Sequence, residues 1–202
     1  MSLVLLSQSI NAGPLSISEP KYGSLEIKDA GITIEFPQNW FRQGKDTEWS
    51  VKKNGLPLVG FKWTDIKSDW EKENMLPSKS DFFGPFVIDL GWKQGSLYIV
   101  QAKAGNNKKR YEIHTVIPRM EANLAYDFYA SADSLAQLMA INFVIQRIMH
   151  SGELHRIKDY VSEYPEECEE ITWDCGFNEE EFFDENGCGC LIVPQKEADF
   201  NN

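Results

Sequence analysis

All four cysteines, Cys168, Cys175, Cys188 and Cys190, fall within 23 residues near the C-terminal end, and no cysteine precedes them. The same region holds the acid: from position 159 onward there is 1 Lys+Arg against 14 Asp+Glu, whereas residues 1–158 hold 19 against 17. A stretch so charged and so poor in apolar residues cannot bury a core of its own, so a fixed shape there requires covalent links. An even, tightly clustered set reads as two disulfides made in an oxidising compartment. One residue separates Cys188 from Cys190, and a bond between them would be strained. The preferred pairings are therefore 168–188 with 175–190, or 168–190 with 175–188.

Other cysteine chemistries fit poorly. Structural zinc wants two close pairs of the C-x2-4-C kind, and the intervening lengths here are six, twelve and one. Glu167, Glu169 and Glu170 flank Cys168 and would raise a thiol pKa, which opposes redox catalysis. The acid offers hard oxygen donors, so weak calcium binding through Asp174, Glu181 and Asp184 is the alternative to a solvated acidic face, although the EF-hand spacing is absent. No metal and no cofactor is otherwise implied.

Strand signals dominate residues 24–131. Residues 24–28 and 32–36 alternate apolar and polar side chains around Asp29-Ala30-Gly31, a tight hairpin ended by Pro37. Asn54-Gly55 favours a two-residue turn joining 49–53 to 58–63. A meander follows at 86–92, 97–104 and 111–117, and a seventh strand at 124–130 places Leu124, Tyr126, Phe128 and Ala130 on one face that must be covered. The cover is a helix over 132–150, capped by Ser131 and stopped at Ser151-Gly152, with residues 154–161 laid over its outer side. The fold class is α+β: a mainly antiparallel sheet of about seven strands packed by one long C-terminal helix, with a disulfide-stapled acidic tail. Residues 65–84 form a long connection carrying Trp70, Phe82 and Phe83, read either as a loop folded onto the core or as an aromatic binding edge.

Residues 31–40, Gly-Ile-Thr-Ile-Glu-Phe-Pro-Gln-Asn-Trp, together with the strand-to-helix run 126–151, resemble the PsbP-like (DcrB-like) family. That resemblance implies an antiparallel sheet flanked by helices, usually in a non-catalytic interaction or assembly protein. The run 183–190, Phe-Asp-Glu-Asn-Gly-Cys-Gly-Cys, resembles the small cysteine knots that end some secreted bacterial proteins. The chain then divides into 1–12, 24–151 and 152–202. The first piece, with Leu3 to Leu6 apolar and Ile10-Asn11-Ala12 before Gly13, reads as the end of a secretory signal peptide or as an ordinary N-terminal tail.

Catalytic motifs are missing: no G-x-S-x-G, H-E-x-x-H, Walker loop or G-x-G-x-x-G occurs. His114 is expected on the polar face of a strand. The near-neutral body and acidic tail argue against nucleic acid as a partner, and no apolar run is long enough to span a bilayer as a helix. The leading reading is an exported, periplasmic or secreted, non-catalytic module that binds another protein through the sheet edge, the 65–84 connection or the tail. A second reading is a secreted inhibitor or effector presenting the disulfide loop 175–188 with Phe177, Phe182 and Phe183. A third is a hydrolase whose groups meet only in three dimensions.

Overall fold

The computed structural model describes residues 17–43, 47–53, 55–103, 109–176 and 179–192. The N-terminal signal reading, Asn54 and the 105–107 turn lie outside them. Antiparallel pairing organises the described strands into three sheets.

The largest sheet has seven strands in the order β3-β4-β5-β9-β8-β7-β6. These are β3 (Phe41–Arg42), β4 (Glu48–Ser50), β5 (Leu58–Asp65), β6 (Asp81–Asp89), β7 (Gln94–Lys103), β8 (Lys109–Arg119) and β9 (Leu124–Ala132). The expected strand at 49–53 is shorter than its sequence pattern, because Pro57 brings no N–H to a ladder that therefore starts at Leu58 opposite Ser50. β6 begins earlier than expected, so Phe82 and Phe83 belong to a strand rather than to the connection before it.

Period-two alternation sends Phe61, Tyr126, Phe128 and Ile117 to one face of this sheet. Helix α1 (Leu135–His150) covers them with Leu138, Ile141, Ile145 and Ile148, all buried. Burying each such side chain contributes about 2 kcal/mol. The helix starts three residues later than the sequence suggests. Ser134 is its cap, accepting a hydrogen bond from the Gln137 amide, while Ser131 stays in β9. The opposite face, on which His114 was expected as a polar-face residue, is covered as well: Met75 and Leu76 pack on Tyr98, Val100, Val116 and Ala125.

A second sheet, β1 (Tyr22–Ile27), β2 (Ile32–Pro37) and β10 (Glu153–Leu154), lies beside α1. β2, rather than residues 154–161, is what packs along the helix, with Ile32 and Ile34 fully buried. Gly31 turns the hairpin at φ +58°, a left-handed conformation that glycine adopts without strain. Buried Arg119 ties the parts together. Its Nη1 donates to Gly31 O at 2.9 Å and to Tyr126 Oη at 3.0 Å, and its Nη2 donates to His155 O at 2.7 Å.

The third sheet, β11 (Ile157–Ser162), β13 (Gly187–Ile192) and β12 (Glu179–Asp184), together with the one-turn helix α2 (Pro165–Cys168), makes up the cysteine-bearing region. What reads as a tail is an ordered antiparallel unit. No described helix is long and apolar enough to cross a membrane.

Candidate functional site

Cys168 bonds Cys188 and Cys175 bonds Cys190, one of the two preferred pairings, and all four thiols are used. Disulfides of this kind fit an oxidising, extracellular-type environment. The Gly-Cys-Gly-Cys run has a steric basis. A Cβ on Gly187 would lie 2.0 Å from Ser162 O, and one on Gly189 2.0 Å from Asp159 O, so only glycine lets β13 approach β11 this closely. The intervening Cys188 and Cys190 then share the other face and reach their partners.

The 175–188 segment of the inhibitor reading is closed by the Cys175–Cys190 bond. No bond links 175 to 188, and residues 179–184 are a strand. Phe182 packs edge-on against Tyr160 at 5.1 Å, with Lys158 over its ring, while Phe183 points from the opposite face and is 59% exposed. Phe177 lies outside the described residues. Part of the acid is engaged: Asp184 pairs with Lys158, Glu180 pairs with Arg156 at 3.1 Å, and Glu179 accepts from the Gly176 amide. The salt bridge to Lys158 holds the Asp184 carboxyl below its ordinary pKa. Glu181 and Asp184 fall on opposite faces of β12, so Asp174, Glu181 and Asp184 form no converging donor set among the described residues. Cys175, Glu179 and Cys190 do lie close together, but both sulfurs are spent in a disulfide and offer no thiolate.

The hydrolase reading is tested at His114, which is not on a solvated face but 2% exposed. The interior strand β8 is covered on both sides, which buries it. Its Nδ1–H donates to Asp127 Oδ2 at 2.8 Å and its Nε2–H to Glu112 Oε2 at 3.0 Å, and the Tyr129 ring stacks on it at 5.6 Å. Lys62 Nζ sits 3.1 Å from the same Asp127 oxygen. Burial alone would lower the imidazolium pKa, but the Asp127 charge and the two carboxylate hydrogen bonds outweigh it and hold the pKa up at about 9. Ser131 donates to Glu112 at 2.9 Å rather than to the imidazole. A general base needs a free ring nitrogen facing its nucleophile, and here both nitrogens already donate to carboxylates. The cluster is a buried charged network inside the sheet.

The exposed apolar surface lies at the other end of the sheet. Among the described strands β6 is an edge, exposed along nearly all its length, with Phe83 at 77% and Val87 at 80%. Phe82 and Phe86 are exposed beside them. Ile99, directly across from Phe83 on β7, extends the patch inward. Met139 and Phe143, also exposed, share a helical stripe with His150, whose Nδ1 lies 3.2 Å from Leu90 O just beyond β6. That contact turns the stripe toward the β6 side of the sheet. A shallow cleft of about 400 Å³, lined in part by Glu73, Pro77, Lys79 and Phe82, opens at the start of the strand.

Of the residues singled out from the sequence, Phe82 and Phe83 are therefore brought together on this edge. Trp70 is half-buried, packed against the second core. Phe182 and Phe183 lie in the disulfide sheet. Phe86, Val87 and Ile99 fall within the expected strands 86–92 and 97–104 and are not singled out by the sequence pattern. The signal that identifies them is Pro85: a proline inside an apolar strand pattern marks an edge, because it cannot donate to a ladder.

No protein-family model matches the sequence, and no curated protein matches it. In structure the chain is similar to the cyanobacterial PsbP protein (CyanoP) of Synechocystis sp. PCC 6803, with a TM-score of 0.45 and 11% identity over 71% of this chain and 100% of that chain. It is also similar to the Ran-binding protein Mog1p of Saccharomyces cerevisiae, with a TM-score of 0.46 and 10% identity over 67% of this chain and 96% of that one.

Proposed function

We propose that this protein is a non-catalytic module that captures an extended segment of another protein by adding it as a strand along β6, in a periplasmic or secreted setting. The observation that carries the reading is the edge itself: a strand of nine residues whose large apolar side chains are left in solvent. Unpaired N–H and C=O groups beside apolar side chains recruit further strands, and Pro85 with the bulge between Phe83 and Phe86 divides the pairing groups of β6 into a stretch on either side. Strand addition uses those groups for affinity and the alternating side chains for selection. The two disulfides support the compartment.

The test is amide hydrogen exchange on the full chain with a strand-forming peptide selected from a random library. Bound peptide is expected to protect the β6 amides. Phe83→Lys with Val87→Lys should abolish that protection while changing stability by no more than about 0.5 kcal/mol, because both side chains are already in solvent. Protection confined to β11 or β12, or binding that survives the double substitution, would overturn the reading.

A further inference from the structure

We infer that the segment taken up by β6 belongs to a different protein and is apolar in its middle and cationic at both ends. This rests on the strand-addition reading and narrows its partner. β6 begins at Asp81 and ends at Asp89, both exposed, with Phe82, Phe83, Phe86 and Val87 between them. The Asp89 carboxylate is fixed at the strand end, where Oδ1 accepts from the Gly91 amide at 2.8 Å. Of the lysines nearest in sequence, Lys93 is tied to Glu121 at 3.5 Å, and Lys79 sits in the cleft before the strand begins.

The charges discriminate through cross-strand pairing, where opposite charges stabilise and like charges repel. A second copy paired antiparallel and centred on Pro85 sets Asp81 against Asp89 at both ends and places two prolines face to face. Shifting that register by two sets a carboxylate against Phe83 or Val87. Parallel in-register pairing sets each aspartate beside its own counterpart. The net charge of -11 adds repulsion between whole copies. An added strand with Lys or Arg at its two ends meets none of these conflicts and gains two ion pairs.

The experiment uses the full chain and two synthetic peptides with the same alternating Val/Phe/Thr centre, one with Lys at both ends and one with Glu. Binding is followed by fluorescence anisotropy at low and at about 0.15 M salt, where screening is short-ranged. The Lys-ended peptide should bind about ten-fold more tightly than the Glu-ended one, with the gap narrowing in salt. Asp81→Lys with Asp89→Lys should reverse the preference. In sedimentation equilibrium the wild-type chain should remain monomeric, and Asp81→Asn with Asp89→Asn should associate more readily. Equal affinity for both peptides, or a preference untouched by the charge reversal, overturns this inference and leaves strand addition standing. Binding of neither peptide overturns strand addition itself. A wild-type dimer broken by Val87→Lys would make the occupant a second copy, contrary to the proposal.

Discussion

His114 shows how burial and charge decide a residue's role against its sequence pattern. Its alternation with Ile113 marks it as outward-facing, but the outward face of β8 is itself covered, and the ring is held between Glu112 and Asp127. Its pKa rises from the ordinary 6.5 to about 9 in the folded state. The folded chain thus keeps a proton that the unfolded chain releases. This contribution is complete below pH 6.5, is lost as pH rises from 6.5 through about 9, and does not return above that. Asp127→Asn removes the anion shared by His114 and Lys62, and leaves the buried His114 imidazolium with Glu112 as its remaining carboxylate and the part-exposed Lys62 without its own. The expected loss is about 3 kcal/mol at pH 7 in urea unfolding. The wild-type decline between pH 6.5 and 9 should largely vanish in the variant; an unchanged slope would assign that decline to other groups.

At the scale of elements, the strands were legible where apolar alternation and turn residues agreed, as in β2 with Gly31 and β9 with Tyr126 and Phe128. Helix α1 was legible from its aliphatic stripe, but its start was misplaced because Ser131 and Ser134 are both capping residues. Only the pairing of β8 with β9 decides between them, by keeping Ser131 in the ladder opposite Glu112. The sheet edge was half legible: Phe82 and Phe83 stood out, while Phe86 and Val87 were hidden in an apolar run whose exposure depends on β6 having no outer neighbour among the described strands. The β11-β13-β12 sheet was not legible as strands, because its apolar signal is replaced by glycine, cysteine and acid. Gly189 carries that element. Gly189→Ala places a methyl 2.0 Å from Asp159 O, so β11 must separate from β13. Oxidative refolding of this variant should give mispaired or incomplete Cys175–Cys190, read by peptide mapping after alkylation. Native pairing in full yield would show that the close approach is dispensable.

At the scale of the whole molecule, the charge changes sign near position 159, and residues 153–157, just before that change, are held by the strands and side chains of the preceding chain. β10 pairs with β2, the His155 amide donates to Gly31 O at 2.8 Å, His155 O accepts from Arg119, and Ile157 packs on the core. Two truncations separate the alternatives. A chain ending at Ser162 keeps all of these contacts and should unfold in one cooperative urea transition, since what it loses is held by its own disulfides and by β11. A chain ending at Ser151 leaves the fully buried Arg119 guanidinium without one of its carbonyl acceptors and exposes the ground that Leu154 and Ile157 cover. An unmet charged donor costs about 2 kcal/mol, and the two lost side chains cost about as much again each where they are buried. That chain should therefore be weaker by about 4 kcal/mol or more, enough to abolish much of the stability of an ordinary domain. If the chain ending at Ser162 instead melts gradually, the body depends on β13 and the disulfides, and the two regions fold as one unit.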